Sequence, residues 1–193
     1  MPLSLITAPA VEPIVLADAK THLRVTGTDD DALITALIIA ARQAAEARCG
    51  RALIDQTWDL ILDLWPADNI IRLPRAPVSA LTSVKYYDSS NVLQTVNSAD
   101  YQVSLNEMRP RVMPATGKAW PGLYDRFDAV TVRFVAGYGA AGSAVPAALK
   151  QWMLIAIGTL YAQREAFVNG INSEVPAGFC DGLLDPYRIL EVG

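Results

Sequence analysis

The sequence predicts an α+β fold: a helical bundle made by the N- and C-terminal segments, with a small antiparallel β domain inserted between them. Two observations carry this. Apolar residues recur at helical spacing near both ends of the 193-residue chain but alternate with a period of two in the middle. Prolines then punctuate that middle region, at Pro66, Pro74, Pro77, Pro110, Pro114 and Pro121, as suits short strands with exposed edges. The expected division is 1–54 and 141–193 for the helical core and 55–140 for the β-rich insertion, whose two ends should lie close in space. No internal repeat is visible.

In chain order, Val15 to Val25 fits a short helix, with Leu16, Ala19 and Leu23 on one face and Asp18 in the first turn, where the helix dipole favours an acid. A second helix is expected from about Asp30 to Arg48, capped by Thr28 or Asp29 and closed by Gly50. It carries two apolar stripes, one through Leu33, Leu37, Ala40, Ala41 and Ala44, the other through Ile34, Ile38 and Ala45, which implies packing on both sides. From Gln56 the period changes: Trp58, Leu60, Leu62 and Leu64 alternate with Asp59, Ile61 and Asp63. Further strands are expected at Ile70–Leu73, Leu81–Tyr87, Val92–Val96, Tyr101–Leu105, Arg111–Met113 and Ala129–Val135. Asp88-Ser89-Ser90-Asn91 reads as a hairpin loop. Pro146 should open a helix reaching about Phe167. Residues 168–180, rich in Gly and Asn, read as a mobile loop, and Asp181 as the cap of a short terminal helix.

A chain of this length buries about 70% of its unfolded surface and needs no staples. The net charge of −4, from 20 acids and 16 bases, is spread without like-charge blocks, which disfavours general nucleic-acid binding. Cys49 and Cys180 form neither a disulfide framework nor a zinc signature. The first ten residues lack a basic region and a long apolar run. The most apolar stretch, 152–158, is far shorter than the roughly 20 residues that span a bilayer. A soluble intracellular protein without a membrane segment is expected.

Catalytic chemistry finds little support. The one histidine, His22, has no recognisable carboxylate or nucleophile partner. Asp29-Asp30-Asp31 lacks the alternation and closing glutamate of a calcium loop and fits a helix start. Gly137-Tyr138-Gly139-Ala140-Ala141-Gly142 is a literal G-x-G-x-x-G after a strand. Pro146, however, starts the helix too late for its N-terminus to face a pyrophosphate, and no second parallel strand with an acidic end follows. The segment is better read as a joint between strand and helix. No catalytic, cofactor-binding or metal-binding residue is therefore assigned. Arg109, Arg111, Lys118 and Arg126 lie beside Trp120 and Tyr124, with Asp125 the only acid between them. Such a mixture suits a protein interface, a single-stranded nucleic-acid groove, or a loop that merely covers a sheet end.

The order and spacing of the segments resemble the head–tail connector (adaptor) proteins of tailed phages, in the variant with a β-rich insertion. The residues concerned are Ala19–Val25, Asp29–Ile34, Gly50–Ile54, Gln56–Trp58, Ile71–Pro74, Val84–Asp88 and Gly117–Pro121. The pattern continues through Asp128–Val132, Val135–Gly139, Val145–Leu149, Tyr161–Glu165 and Leu183–Arg188. The resemblance implies a structural subunit of a homo-oligomeric ring of about twelve copies. That ring would sit at the head–tail junction of a phage or prophage particle, between the portal protein and a tail-proximal head-completion or tail protein. DNA would pass through its channel without sequence-specific binding, and assembly would occur in the host cytoplasm. No catalytic residue carries over. Tyr187 and Arg188, in the last matching segment, complete the candidate interface residues. An acidic average charge suits a channel along which DNA must slide. The competing reading is a DNA-packaging or nucleic-acid-binding accessory protein that uses Arg109 to Arg126; a dinucleotide enzyme built on Gly137–Gly142 is a more distant third.

Overall fold

The structure is a computed structural model that describes residues 2–163 and 180–189. In chain order its elements are β1 (Leu3–Thr7), α1 (Leu16–Leu23), α2 (Asp31–Cys49), β2 (Gln56–Leu62), β3 (Ile71–Arg72), β4 (Val78–Tyr87) and β5 (Leu93–Thr95). There follow β6 (Tyr101–Ser104), β7 (Arg111–Pro114), β8 (Val130–Ala136) and α3 (Ala147–Ala162). Helices and antiparallel strands segregate along the chain, so the class is α+β. The chain forms two compact units, Met1–Pro9 with Asp55–Tyr138, and Ala10–Ile54 with Gly139–Gly193.

In the strand-bearing unit, one sheet has the order β1-β2-β8-β4-β5 and a second the order β3-β7-β6. Strand β8 alternates strictly: Val130, Val132, Phe134 and Ala136 are fully buried and the residues between them half-buried. It pairs with β2 and β4 over its whole length, so its apolar face seeds the sheet. Asp59 on β2 breaks the expected alternation by being buried. The reason is Arg133 directly opposite on β8, whose Nε and Nη2 donate to the two Asp59 oxygens at 2.8 and 2.7 Å. Such a bidentate pair satisfies the carboxylate that a strand pattern alone would place in water. Leu64, expected on the buried side, lies beyond the end of β2 and is 69% exposed.

Strand β1 is the element that the sequence did not announce. Leu-Ser-Leu-Ile-Thr is too short to show a period, and only its pairing with β2 makes it a strand. The first nine residues, expected with the helical segment, thus group with the strands. The hairpin between β4 and β5 follows its turn chemistry. The Asp88 carboxylate accepts from the backbone N–H of Ser90 and Val92, and Asn91 takes the left-handed conformation at φ 59°.

In the helical unit, α2 buries the stripe of Ile34, Ile38 and Ala45 in full. Of the other, Leu33 is 37% exposed, Ala40 exposed, Leu37 and Ala44 half-buried, and only Ala41 fully buried. The α2 cap differs from expectation. Asp30 occupies the cap position, but its side chain makes no capping bond to the first turn, while the Asp31 N–H is taken by the Thr28 carbonyl. Gly50 closes the helix at φ 67°, its N–H returning to the Glu46 carbonyl, a left-handed turn that glycine adopts without strain. Pro146 stands at the N-cap of α3, directly before the first helical residue, Ala147, as its position in the sequence suggests. Helix α3 ends at Ala162; the expected continuation to Phe167 and all but the last residue of the 168–180 loop lie outside the described residues. Asp181 does not cap a helix but accepts from Arg48 and Trp152, and a 3-10 turn follows at Asp185–Tyr187.

A buried charge network fixes α2. Arg42 donates to Glu12 at 2.8 Å and to Glu46 at 2.9 Å, and the second Glu46 oxygen accepts from the Leu53 N–H at 2.9 Å. Arg42 and Glu46 are each 7% exposed, so loss of one partner strands a charge away from water. Glu46→Ala is expected to cost about 3–5 kcal/mol in chemical denaturation, because both Arg42 and the Leu53 N–H lose an acceptor. Glu46→Gln, which keeps an acceptor oxygen, should cost less.

Candidate protein interface

The Arg109 to Arg126 segment is held by its own contacts. Trp120 stacks on Trp65 with ring centres 4.6 Å apart and planes 10° from parallel. Trp65 Nε1 donates to the Pro121 carbonyl at 2.8 Å, and Trp120 Nε1 to the Asn69 carbonyl at 3.0 Å. The two indoles thereby clasp the loop after β7 to the loop after β2. This is the amphipathic use of tryptophan, with the ring packed and the N–H satisfied.

The cations are engaged as well. Arg111 donates to Glu107 at 2.6 Å, and Lys118 lies 3.0 Å from Asp100. The Arg126 guanidinium sits 3.9 Å over the Tyr87 ring and donates to Asn91 at 3.2 Å. Arg109 is half-buried and also engaged. A single-stranded nucleic-acid groove needs cations free for phosphate and rings free for bases. Here Arg111, Lys118, Arg126 and Trp120 are already committed to protein partners.

Tyr187 and Arg188 belong to a different cluster, at the C-terminal end of α2. Arg51 Nε donates to the Tyr187 carbonyl, the Ile189 N–H donates to the Cys49 carbonyl at 2.9 Å, and Arg188 pairs with Asp185 at 3.2 Å. Arg48 lies 5.2 Å from the centre of the Trp152 ring and donates to Asp181 at 2.7 Å. These contacts pin residues 180–189 to the helix. Burial pushes the Cys49 thiol up, against the lowering effect of Arg51, Arg188 and Arg48. That direction makes it an inert core thiol rather than a nucleophile.

The remaining motifs resolve into structure. Gly142 begins a 3-10 turn, and a Cβ there would stand 2.7 Å from the Pro13 carbonyl oxygen. The glycine thus permits a close backbone approach that any side chain would obstruct. Asp31 is paired with Lys20 at 2.5 Å, and Asp30 accepts from the Tyr161 hydroxyl. His22 is exposed on α1, its ring near Gly158. Among the described residues, no helix is long and apolar enough to cross a membrane.

Sequence reasoning missed a set of exposed apolar side chains. Phe127 is 83% exposed, Val92 52%, Leu93 50%, and on β1 Leu5 and Ile6 are 45% and 46%. Single apolar residues in short strands and loops leave no periodic signal, so only the fold shows that they are uncovered.

A chain in which Arg111, Lys118 and Arg126 are engaged within the fold, and which leaves apolar side chains uncovered at Phe127, Val92, Leu93, Leu5 and Ile6, has a surface suited to meeting other proteins. The model of the phage gp6-like head-tail connector protein family matches residues 13–111, just over half of the sequence, and the chain belongs to that family. Its fold is similar to solved structures of gene transfer agent (GTA) particles. The chain in the neck of the empty particle, computed with C6 symmetry, is 28% identical with a TM-score of 0.84. One in the virion of the native particle is 29% identical with a TM-score of 0.82, and one in the native neck, computed with C12 symmetry, 26% with 0.81. Each match covers 100% of this chain and 98% of the other. No curated protein sequence matches. The chain is a structural head–tail connector subunit of a phage-like particle.

Two predictions follow the geometry. Gly142→Ala should destabilise the protein by about 1–3 kcal/mol in thermal or chemical denaturation, because the new methyl overpacks against Pro13. Hydrogen bonds from the Gln94 amide and from the Val92 and Ser90 N–H groups hold the Asp88 carboxyl below its ordinary range. Those from Arg111 and Ser104 do the same for Glu107. A depressed folded value means that the stabilisation is present above the unfolded pKa and is lost as pH falls through the folded one. Carboxyl NMR titration should therefore give midpoints below those of unfolded peptides. The Ser90 and Val92 amide signals should move with Asp88, and Asp88→Asn should abolish that movement.

Proposed function

We propose that copies of this chain form a closed ring that surrounds the DNA channel at the head–tail junction, between the portal protein and the tail-proximal head-completion or tail protein. In this reading the helices are the connector core and the strands of 55–138 are an insertion into it. The chain acts by its surfaces, not by catalysis. The observation that supports this most is the full-length similarity to chains of GTA necks treated with C6 and C12 symmetry. Symmetry of that kind is what heterologous contacts produce when their rotation closes. The stripe of α2 through Leu33, Leu37, Ala40, Ala41 and Ala44, fully covered only at Ala41, supplies an apolar face of the sort such contacts use. Arg109, Arg111, Lys118, Trp120, Tyr124 and Arg126 enter as a shaped and internally braced surface, and Tyr187 and Arg188 as part of the braced end of α2. Assembly would take place in the host cytoplasm before the particle is complete.

Deletion of the gene from its parent phage or particle-producing strain should leave heads and tails unjoined in electron micrographs, with joining restored by the gene in trans. Tailed particles at normal yield would refute the role. A gel shift at low salt separates this from the DNA-packaging or nucleic-acid-binding alternative. The purified chain should leave single- and double-stranded DNA unretarded, because the cations of the Arg109 to Arg126 segment are already engaged within the fold.

A further inference from the structure

The five-stranded sheet distributes its charges in an unusual way. The inner strands carry them, with Asp59 on β2, Arg133 on β8 and Lys85 on β4. The two edges carry none: β1 is Leu-Ser-Leu-Ile-Thr and β5 is Leu-Gln-Thr. Edge strands present unpaired backbone N–H and C=O groups, and proteins ordinarily protect them with charged side chains, lysine above all. Here both edges are neutral and display apolar side chains, Leu5 and Ile6 on one and Leu93, with Val92 just before it, on the other. All of β5 is exposed, as is β1 from Ser4 onward.

The topology makes these edges complementary. Every neighbouring pair in the order β1-β2-β8-β4-β5 is antiparallel. With five strands, β1 and β5 then run in the same direction on opposite sides of one sheet. Copies related by a rotation that keeps their orientation can therefore place β1 of one beside β5 of the next as a parallel pair. The two surfaces differ, so the contact is head-to-tail and repeats around a ring.

We propose that β1 and β5 are the two halves of a contact between copies of this chain, with β1 of each subunit extending the sheet of its neighbour at β5. The proposal rests on the ring reading above and assigns one of its surfaces. The contact is short, because β5 has three residues and the β1 register shifts between Leu5 and Thr7. It fixes register and direction, while other surfaces complete the roughly 800 Å² per partner of a stable interface. Brevity also fits the free chain: two long neutral edges would aggregate, whereas a short parallel pair forms only with the support of further contacts.

The test uses the full chain with Ser4→Cys, Thr95→Cys or both, and a short bis-maleimide that tolerates a register offset of a residue or two. The unchanged chain reports the background from Cys49 and Cys180. Both altered positions are exposed, and circular dichroism confirms that each variant is folded. The double variant should give a ladder of covalent multimers, an equimolar mixture of the single variants a covalent dimer and nothing larger, and each single variant alone only monomer. Rings seen by electron microscopy without a ladder would overturn this contact and leave the ring standing. Covalent dimers from Ser4→Cys alone would overturn it in favour of two-fold pairing of β1 with itself. Neither rings nor ladder would overturn it together with the ring. In a second arm, Leu5→Lys and Leu93→Lys should each abolish rings, and Leu5→Lys combined with Leu93→Glu should restore them. Rings unaffected by either lysine would also sink the proposal.

Discussion

The helical unit depends on a charge that cannot reach water. Arg42 sits on the buried side of α2, and its guanidinium is stable there only because Glu46, one turn on, and Glu12 accept from it. Each partner reaches a different part of the chain. Glu12 draws in the segment before α1, and Glu46 takes the Leu53 N–H just after the helix has ended at Gly50. One buried cation therefore ties the entry to α1 and the exit from α2 to the same helix face. A buried ion pair is a poor source of net stability, since desolvation offsets most of its attraction. Its consequence is specificity: alternative packings of α2 would leave the same charges unpaired.

The strand-bearing unit has a counterpart in Asp59 and Arg133. Their bidentate contact across β2 and β8 spans two central strands and sets the register there as firmly as the apolar alternation of β8 does. With the centre of the sheet fixed in this way, charge is concentrated inside and the neutral strands fall at the edges. That inversion matters for a protein that assembles. Edges stripped of protective charge are a hazard in a lone monomer and a resource in a particle subunit.

Much of the architecture could be read from periodicity. The boundaries of α1 and α2 are anticipated within two residues, and β8 within one. Local chemistry explains these successes: Gly50 permits the left-handed turn, and Asp88 organises its hairpin by accepting from the next backbone N–H groups. What failed depended on partners distant in sequence. Leu64 looked buried by alternation, but β2 ends before reaching it. Asp59 looked exposed by alternation, but Arg133 stands opposite. β1 gave no signal because five residues cannot establish a period, and pairing with β2 alone creates it. The candidate interface was legible in composition but not in state. Four of its cations and two of its rings are bare letters in the sequence, whereas in space Arg111, Lys118, Arg126 and Trp120 are already engaged.

The sequence by itself determined the class of the fold, the order of its helical and strand segments, and the resemblance that leads to the connector family. These are properties of pattern and spacing, which survive without knowledge of any contact. Tertiary structure decided which charges are free, which apolar stripe of α2 is covered, and which strands lie at an edge. Those are differences between a side chain and its surroundings, and the surroundings of Arg126, Leu33 or Leu5 are set by residues that lie elsewhere in the chain.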